Sequence, residues 1–279
     1  MTRRRELEKL RHSMAEIEEI MNSMKTLAYM ETHKLERFLD TQRAVVAQVE
    51  AVAEDFLAFF PETLPEPDNS TRLFLLLGSE RGFCGDFNES LLVKLENYLR
   101  ENPIHNPWLI AVGRKLYVQM DNDQRLVKSI EGADVVEDVD RTLNQIILHF
   151  SETQRNQQVP SLTVLYHDLD NEQIIVKDIL PPFENLRGTR PRFTYPPLIN
   201  QPPMALLAEL IDHYLFATLH KIMYVSLMTE NVRRMQHLEG AAHHLNDKSA
   251  ELLRKCNALR QEEIIEEIEV ILLSASDLN

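Results

Sequence analysis

Cys84 stands between Gly82 and Gly85 in GSERGFCGDFN, residues 78–88, directly after the apolar run LFLLL. A cysteine at a strand-to-helix turn has the makings of an activated thiolate, because a helix N-terminus lowers a thiol's pKa. Three of the chain's seven glycines lie in the same stretch. It nevertheless lacks the G-K-[ST] ending of a P-loop, the G-x-G-x-x-G dinucleotide fingerprint and the G-x-S-x-G elbow of hydrolases. The pattern therefore reads as a structural turn, with Gly82 and Gly85 supplying positive φ or close backbone approach.

Other reactive residue types are sparse. His243, His244 and Asp247 in AAHHLND place two ligands at i, i+4 on one helix face without a third, which is the pattern of a solvated polar face. His213 and His220, seven apart, are no stronger. The run EEIIEEIE, Glu262 to Glu269, is an acidic stripe around Ile264, Ile265 and Ile268. Cys256 falls on an apolar row and reads as packing. No paired-carboxylate or Ser/His/Asp arrangement stands out, so the residues ask for no cofactor and no metal.

Composition narrows the classes further. At 279 residues, 44 % hydrophobic and 27 % charged, the chain can bury a sizeable core. A formal charge of -14 argues against nucleic acid as a partner, since phosphate neutralisation needs a basic surface. Two cysteines are too few for a disulfide framework or a cysteine zinc site, which points to a reducing compartment. No apolar run approaches the ~20 residues that span a bilayer. The opening MTRRRELEKL turns acidic and heptad-patterned at once, unlike a signal or transit peptide.

The helix breakers organise the chain. All thirteen prolines and six of the seven glycines fall between Pro61 and Pro203, which divides it into a helix over 1–60, an α/β domain over 61–203 and a helix over 204–279. In the first segment Leu7, Met14, Met21, Ala28, Leu35, Val49 and Phe56 repeat every seven residues, interrupted by Gln42. Leu10, Ile17, Met24, Phe38, Val45, Val52 and Phe59 follow three residues on, interrupted by Glu31. In the last segment Met235, Ala242, Ser249 and Cys256 alternate with Leu238, Leu245, Leu252 and Leu259. Such repeats make a coiled-coil seam. An antiparallel pairing through the insert brings Pro61 near Pro203 and sets Arg3 opposite roughly Gln261, leaving the last ~18 residues beyond their partner as about 27 Å of single helix.

In the middle, LFLLLGS (Leu73 to Ser79), WLIAVG (Trp108 to Gly113) and SLTVLYH (Ser161 to His167) are strand-length apolar runs. Helical patterns at Glu89–Arg100 and Val139–Gln154 separate them, so a small, Rossmann-like α/β layer with a mainly parallel sheet is expected. QIIVKDILPP, Gln173 to Pro182, follows the turn DLDNE and adds an antiparallel strand.

This architecture and four motifs in order resemble the gamma subunit of F-type rotary ATP synthases. SMKTLAYM (Ser23 to Met30) is similar to the family's AMKMVAAAKL, and GSERGFCGDFN to its S-D-R-G-L-C-G-G-L-N. TENVRRM (Thr229 to Met235) is similar to S-E-N-A-A-R-M, and NALRQEEIIEEI (Asn257 to Ile268) to N-K-A-R-Q-A-x-I-T-Q-E-L. The departures mark a divergent member: the small basic AAAKLRR run becomes AYMETHKLER, the second loop glycine becomes Asp86, and Thr-Gln becomes Ile265-Glu266.

The resemblance implies a central shaft that catalyses nothing and carries torque between a membrane rotor (c) ring and a ring of alpha and beta subunits, beside an epsilon subunit. The complex would translocate protons or sodium and lie peripherally on the cytoplasmic face of a bacterial inner membrane. It implies Met24, Lys25, Arg260 and Gln261 as contacts to the moving loops of the catalytic ring. Arg37, Arg43, His220 and Lys221, near the helix turn by the pairing count, are assigned to the foot. Two rival readings stand beside it: a coiled-coil scaffold displaying an α/β protein-binding module, and a thiol enzyme built on Cys84.

Overall fold

A computed structural model describes residues 3–64, 72–104, 107–157, 161–169, 173–186, 188 and 191–276, with side chains for all of these except 153–157 and 272–276. The chain runs α1 (Arg3–Leu57), β1 (Arg72–Leu77), α2 (Phe87–Glu101), β2 (Trp108–Val112), α3 (Arg114–Gln119), β3 (Leu126–Ile130), α4 (Val139–Gln157), β4 (Ser161–Asp168), β5 (Gln173–Leu180) and α5 (Pro203–Ser276). Contacts divide it into two compact units, Met1–Ala28 with Met235–Asn279, and Tyr29–Arg234. No described helix is long and apolar enough to cross a membrane.

In the first unit α1 and α5 run antiparallel. Arg4 Nε donates to Glu263 Oε2 at 2.8 Å, Asn246 Nδ2 donates to Glu18 Oε1 at 2.8 Å, and Lys25 Nζ lies 3.6 Å from Glu239 Oε1. The register agrees with the one counted from the prolines. On α5 the expected seam is the buried one: Leu238, Ala242, Leu252 and Cys256 are buried, and Leu245, Ser249 and Leu259 half-buried.

On α1 one expected row is right and the other is not. Met21 and Ala28 are buried and Leu7 and Met14 half-buried, as the first row requires. Leu10 and Ile17 of the second row are 47 % and 48 % exposed. The seam uses the opposite flank, four residues on from the first row: Arg4, Arg11, Glu18 and Lys25, all half-buried. Rows three and four residues from a heptad position lie on either side of it. On this polar flank Arg4, Glu18 and Lys25 meet Glu263, Asn246 and Glu239 across the seam, whereas of the apolar flank Leu10 and Ile17 are left outward and Met24 is half-buried.

The same choice recurs on α1 in the second unit, where Thr32, Leu39, Val46 and Ala53 are buried while Phe38, Val45 and Val52 are exposed. Here Val46, Ala53 and Phe56 pack with Leu207, Leu210 and Tyr214 of α5 in one apolar cluster.

The five-stranded sheet of the second unit has the order β3-β2-β1-β4-β5, parallel except for the β4–β5 pair. Strand and helix alternate as expected, and β5 is the expected antiparallel addition; part of the DLDNE turn before it, 170–172, lies outside the described residues. The short α3 and the edge strand β3, LVKSI, are additions to the sequence reading. Only the two ends of β3 are even partly covered, so it carries no continuous apolar run.

Both faces of β1 are buried. Leu73, Leu75 and Leu77 point with Ile110, Val112 and Val164 toward Leu143 and Ile146 of α4 and Leu219, Ile222 and Leu227 of α5. Phe74 and Leu76 point with Leu109, Ala111 and Leu165 toward Leu91 and Leu95 of α2 and Leu116 of α3. Alternation of side chains along a strand produces this helix–sheet–helix sandwich.

Candidate functional site

In an open parallel sheet ligands bind outside the carboxyl ends of the strands, where successive connections diverge to opposite sides. Here that point lies between β1 and β4, which pair directly although β2 and β3 intervene in sequence. The glycine-rich stretch leaves β1 at this place.

Its first residues knit the loops together. Gly78 N donates to Val112 O at 2.9 Å, Ser79 N to Asn88 Oδ1 at 2.9 Å, and Asn88 Nδ2 returns a bond to Ser79 Oγ at 2.9 Å. Glu80 Oε2 accepts from Arg114 N at 2.9 Å and Gly132 N at 2.7 Å, so one carboxylate ties the loops after β1, β2 and β3. A Cβ on Gly78 would fall 2.4 Å from Leu116 Cβ, so only glycine fits. Gly85 has φ 64, as expected. Gly82 does not meet the expectation: it is absent from the positive-φ positions, where Phe83 (φ 64) stands instead, and its added Cβ would meet nothing nearer than Lys115 Cε at 3.7 Å.

The crevice itself is filled by α5. Thr229 Oγ1 donates to Val225 O at 2.8 Å and lies 3.3 Å from His167 O at the end of β4. Arg234 Nη2 pairs with Glu230, one helical turn back, and both are almost fully buried. Arg234 Nη1 donates to Asn231 Oδ1 at 2.7 Å, and Arg234 Nε donates to Gly82 O at 3.2 Å. Arg233 Nη1 donates to Asp86 Oδ1 at 3.1 Å. The space left beside Gly78, Gly132 and Glu230 is about 30 Å³, room for one or two waters.

Cys84 belongs to this packing. Its Sγ lies 3.4 Å from the carbonyls of Arg81 and Gly82, 3.5 Å from Arg234 Nη2 and 4.0 Å from Glu230 Oε1. Burial, followed by the Glu230 charge, pushes the thiol up to about 11 against the pull of Arg234. A thiol that stays protonated and has a carboxylate rather than a histidine beside it is no nucleophile. Burial likewise raises Glu230, to about 7, against the pull of Arg234. His167, stacked on Phe87 at a centroid distance of 3.8 Å with Nε2 2.7 Å from Phe87 O, is held down to about 4 by burial.

The other expected residues scatter. Met24 and Lys25 are half-buried and Arg260 and Gln261 exposed. Lys25 pairs with Glu239, so the two pairs stand about 30 Å apart along α5 and do not form one patch. Arg37 and Arg43 are exposed, Arg43 lying 3.9 Å from Asp40. Lys221 is half-buried. His220 is inside the chain: it is 7 % exposed, sits between the rings of Phe216 and Tyr224, and has Nε2 3.0 Å from Asp140 Oδ1. His243 lies 3.4 Å from Asp247 with both exposed, and no metal-ligand cluster occurs among the described residues.

The seat of the loop went unread at its α5 end. Glu230 and Arg234 stand four apart in TENVRRM, a spacing that puts an acid and a base on one helix face, and the sequence carries no other mark of this seat.

A family model described as ATP synthase matches residues 3–278. The chain belongs to the ATP synthase family. Among its relatives, the ATP synthase gamma chain of Clostridium botulinum is 23 % identical over 265 residues, covering 93 % of this chain and 92 % of that one. The gamma chain of Clostridium perfringens is 24 % identical over 268 residues, with the same coverage. Among solved structures, one from the Euglena gracilis mitochondrial ATP synthase (OSCP/F1/c-ring, rotational state 3) aligns with a TM-score of 0.63 at 14 % identity, over 99 % of this chain and 94 % of that one. One from the Tetrahymena thermophila mitochondrial ATP synthase (central stalk/c-ring) gives 0.58 at 17 % identity, over 80 % and 99 %. The fold is shared, and gamma is a non-catalytic subunit, in keeping with a crevice closed by the chain's own helix and a thiol held protonated.

Proposed function

We propose that this chain is the central rotor shaft of a membrane-bound F-type ATP synthase or ATPase, passing torque between ion translocation and ATP chemistry on partner subunits. The observation that carries this reading is the antiparallel pairing of α1 and α5 in the first unit, pinned by Arg4–Glu263 and Lys25–Glu239. Around that pair Leu10, Ile17, Ile20 and Leu27 face outward, as do Ile264, Ile265, Ile268 and Ile271. A surrounding sleeve of alpha and beta subunits covers such side chains by non-directional contact, which permits turning.

In this reading Arg260 and Gln261, and at another level Met24 and Lys25, meet moving loops of the catalytic ring. Arg37, Arg43 and Lys221 serve the foot toward the c ring and epsilon subunit, while His220 supports that region from inside. The complex lies on the cytoplasmic face of a bacterial inner membrane, held there through its partners.

The test is to tag the chain, purify it from membranes and identify what accompanies it. Alpha, beta, epsilon and c subunits in one complex, with ATP-driven ion uptake, are the expected result. A free homodimer joined through α1 would replace the shaft with a scaffold.

A further inference from the structure

Along most of its contact with the α/β layer, α5 touches the sheet through Leu219, Ile222, Met223 and Leu227. Apolar contact holds two surfaces together but is indifferent to direction, so it resists rotation of a helix about its own axis only through side-chain shape. Between Thr229 and Arg234 the contacts change character. Arg234 bonds in three directions, to the Gly82 carbonyl at 3.2 Å, to Asn231 at 2.7 Å, and to Glu230 and Cys84 through its second terminal nitrogen. Arg233 reaches Asp86 at 3.1 Å on the same loop, and Thr229 lies 3.3 Å from His167 O on the β4 side.

A guanidinium presents its donors in a rigid planar fork. Asn231 and Glu230, on α5 itself, hold that fork in place, and from there it reaches the Gly82 carbonyl and Cys84 Sγ of the loop at one rotational setting of the helix. A buried ion pair is a poor source of stability, since an apolar pair of similar volume usually serves as well. What it adds here is orientation.

We propose that Arg234, with Glu230 and the Gly82 carbonyl, is a positioning device that fixes the rotational setting of α5 against the β1–α2 loop, so that torque passes between the α/β layer and the helix without slip. The inference rests on the shaft reading. Arg234 is also the last residue in sequence of the α/β unit, so the lock acts where α5 leaves it.

The test uses the assembled complex in inverted membrane vesicles, with ATP hydrolysis and ATP-driven ion uptake measured together. Arg234→Met combined with Glu230→Leu removes the directional bonds of Arg234, leaves Arg233–Asp86 and Thr229 in place, keeps volume and strands neither charge of the buried pair. That double variant is expected to assemble and hydrolyse ATP, while ions moved per ATP fall at least threefold. Arg234→Lys, which keeps the charge and loses the fork, is expected to fall between it and wild type. Unchanged ions per ATP in the double variant overturns the lock. Should the double variant fail to assemble, Arg234→Lys and Asn231→Ala decide, and normal pumping in both overturns it. A wild-type complex that lacks this chain, or that hydrolyses ATP without ion uptake, overturns the shaft reading itself and is recognised before any variant is compared.

Discussion

Arg4 on the first turns of α1 donates its Nε to Glu263 of α5 at 2.8 Å, closing a pairing between residues 259 apart in the chain. With Glu18–Asn246 it fixes the antiparallel register at two levels, each by a bond that a slip of one turn would break.

Cysteines introduced as Glu18→Cys with Asn246→Cys should therefore join within one chain through a short thiol cross-linker. The background is low because Cys84 and Cys256 are buried. On a denaturing gel the product should migrate as a monomer. Dimers alone would mean that the two helices pair between chains.

That register was legible in the sequence because prolines and glycines mark where the turn begins and ends, and counting back from Pro61 and Pro203 needs no side chain. Which flank of α1 forms the seam was not legible. A seven-residue repeat is compatible with a second row three or four residues on, and apolar content favours Leu10 and Ile17 over Arg11 and Glu18. That criterion presumes a single chain; apolar residues meant for another subunit mimic a seam. The strands were visible from LFLLL, WLIAV and SLTVLYH, whereas β3 has Val127, Lys128 and Ser129 facing water. The seat of the glycine-rich loop was half visible: TENVRRM could be picked out, but a sequence does not say that Arg234 reaches Gly82, 152 residues away.

Glycines 78 and 82 should respond unequally to alanine. Gly78→Ala drives a methyl to within 2.4 Å of Leu116 Cβ and 2.7 Å of Asn88 Oδ1 and should cost roughly 1–3 kcal/mol or more. Gly82→Ala meets only the end of a lysine at 3.7 Å and should be within about 0.5 kcal/mol of wild type. Urea unfolding of both variants checks the pair, and equal losses would show that the loop is not packed as described.

His167 predicts a pH dependence with a definite sign. Its folded pKa is depressed to about 4 from 6.5, chiefly by burial, so between these values the unfolded chain takes up a proton that the folded chain refuses. Its contribution is fully present above pH 6.5 and is lost as pH falls toward 4, a change of roughly 3 kcal/mol at most. His167→Gln, which removes the titration, should flatten the stability profile between these pH values by up to that amount. Identical slopes in the two proteins would show that the imidazole titrates as freely folded as unfolded.

Both cysteines should resist alkylation. Cys84 is 4 % exposed and raised to about 11, and Cys256 is 6 % exposed in the α1–α5 seam. Iodoacetamide at pH 8 should label the native chain at least a hundredfold more slowly than the urea-unfolded chain, as read by mass spectrometry. Rapid native labelling at Cys84 would reopen the thiol-enzyme reading.

The uncovered flank of α1 has a consequence for the chain before it meets any partner. Leu10, Ile17, Ile20 and Leu27 face solvent in the lone molecule, a row of the kind that drives proteins to clump. What opposes this is the net charge of -14, which makes copies repel one another over a Debye length of about 8 Å at physiological salt. The solubility of the free chain is thus electrostatic and salt-sensitive. Raising the salt concentration is therefore expected to drive copies of the free chain together through this row, at ionic strengths that leave the chain inside its sleeve untouched.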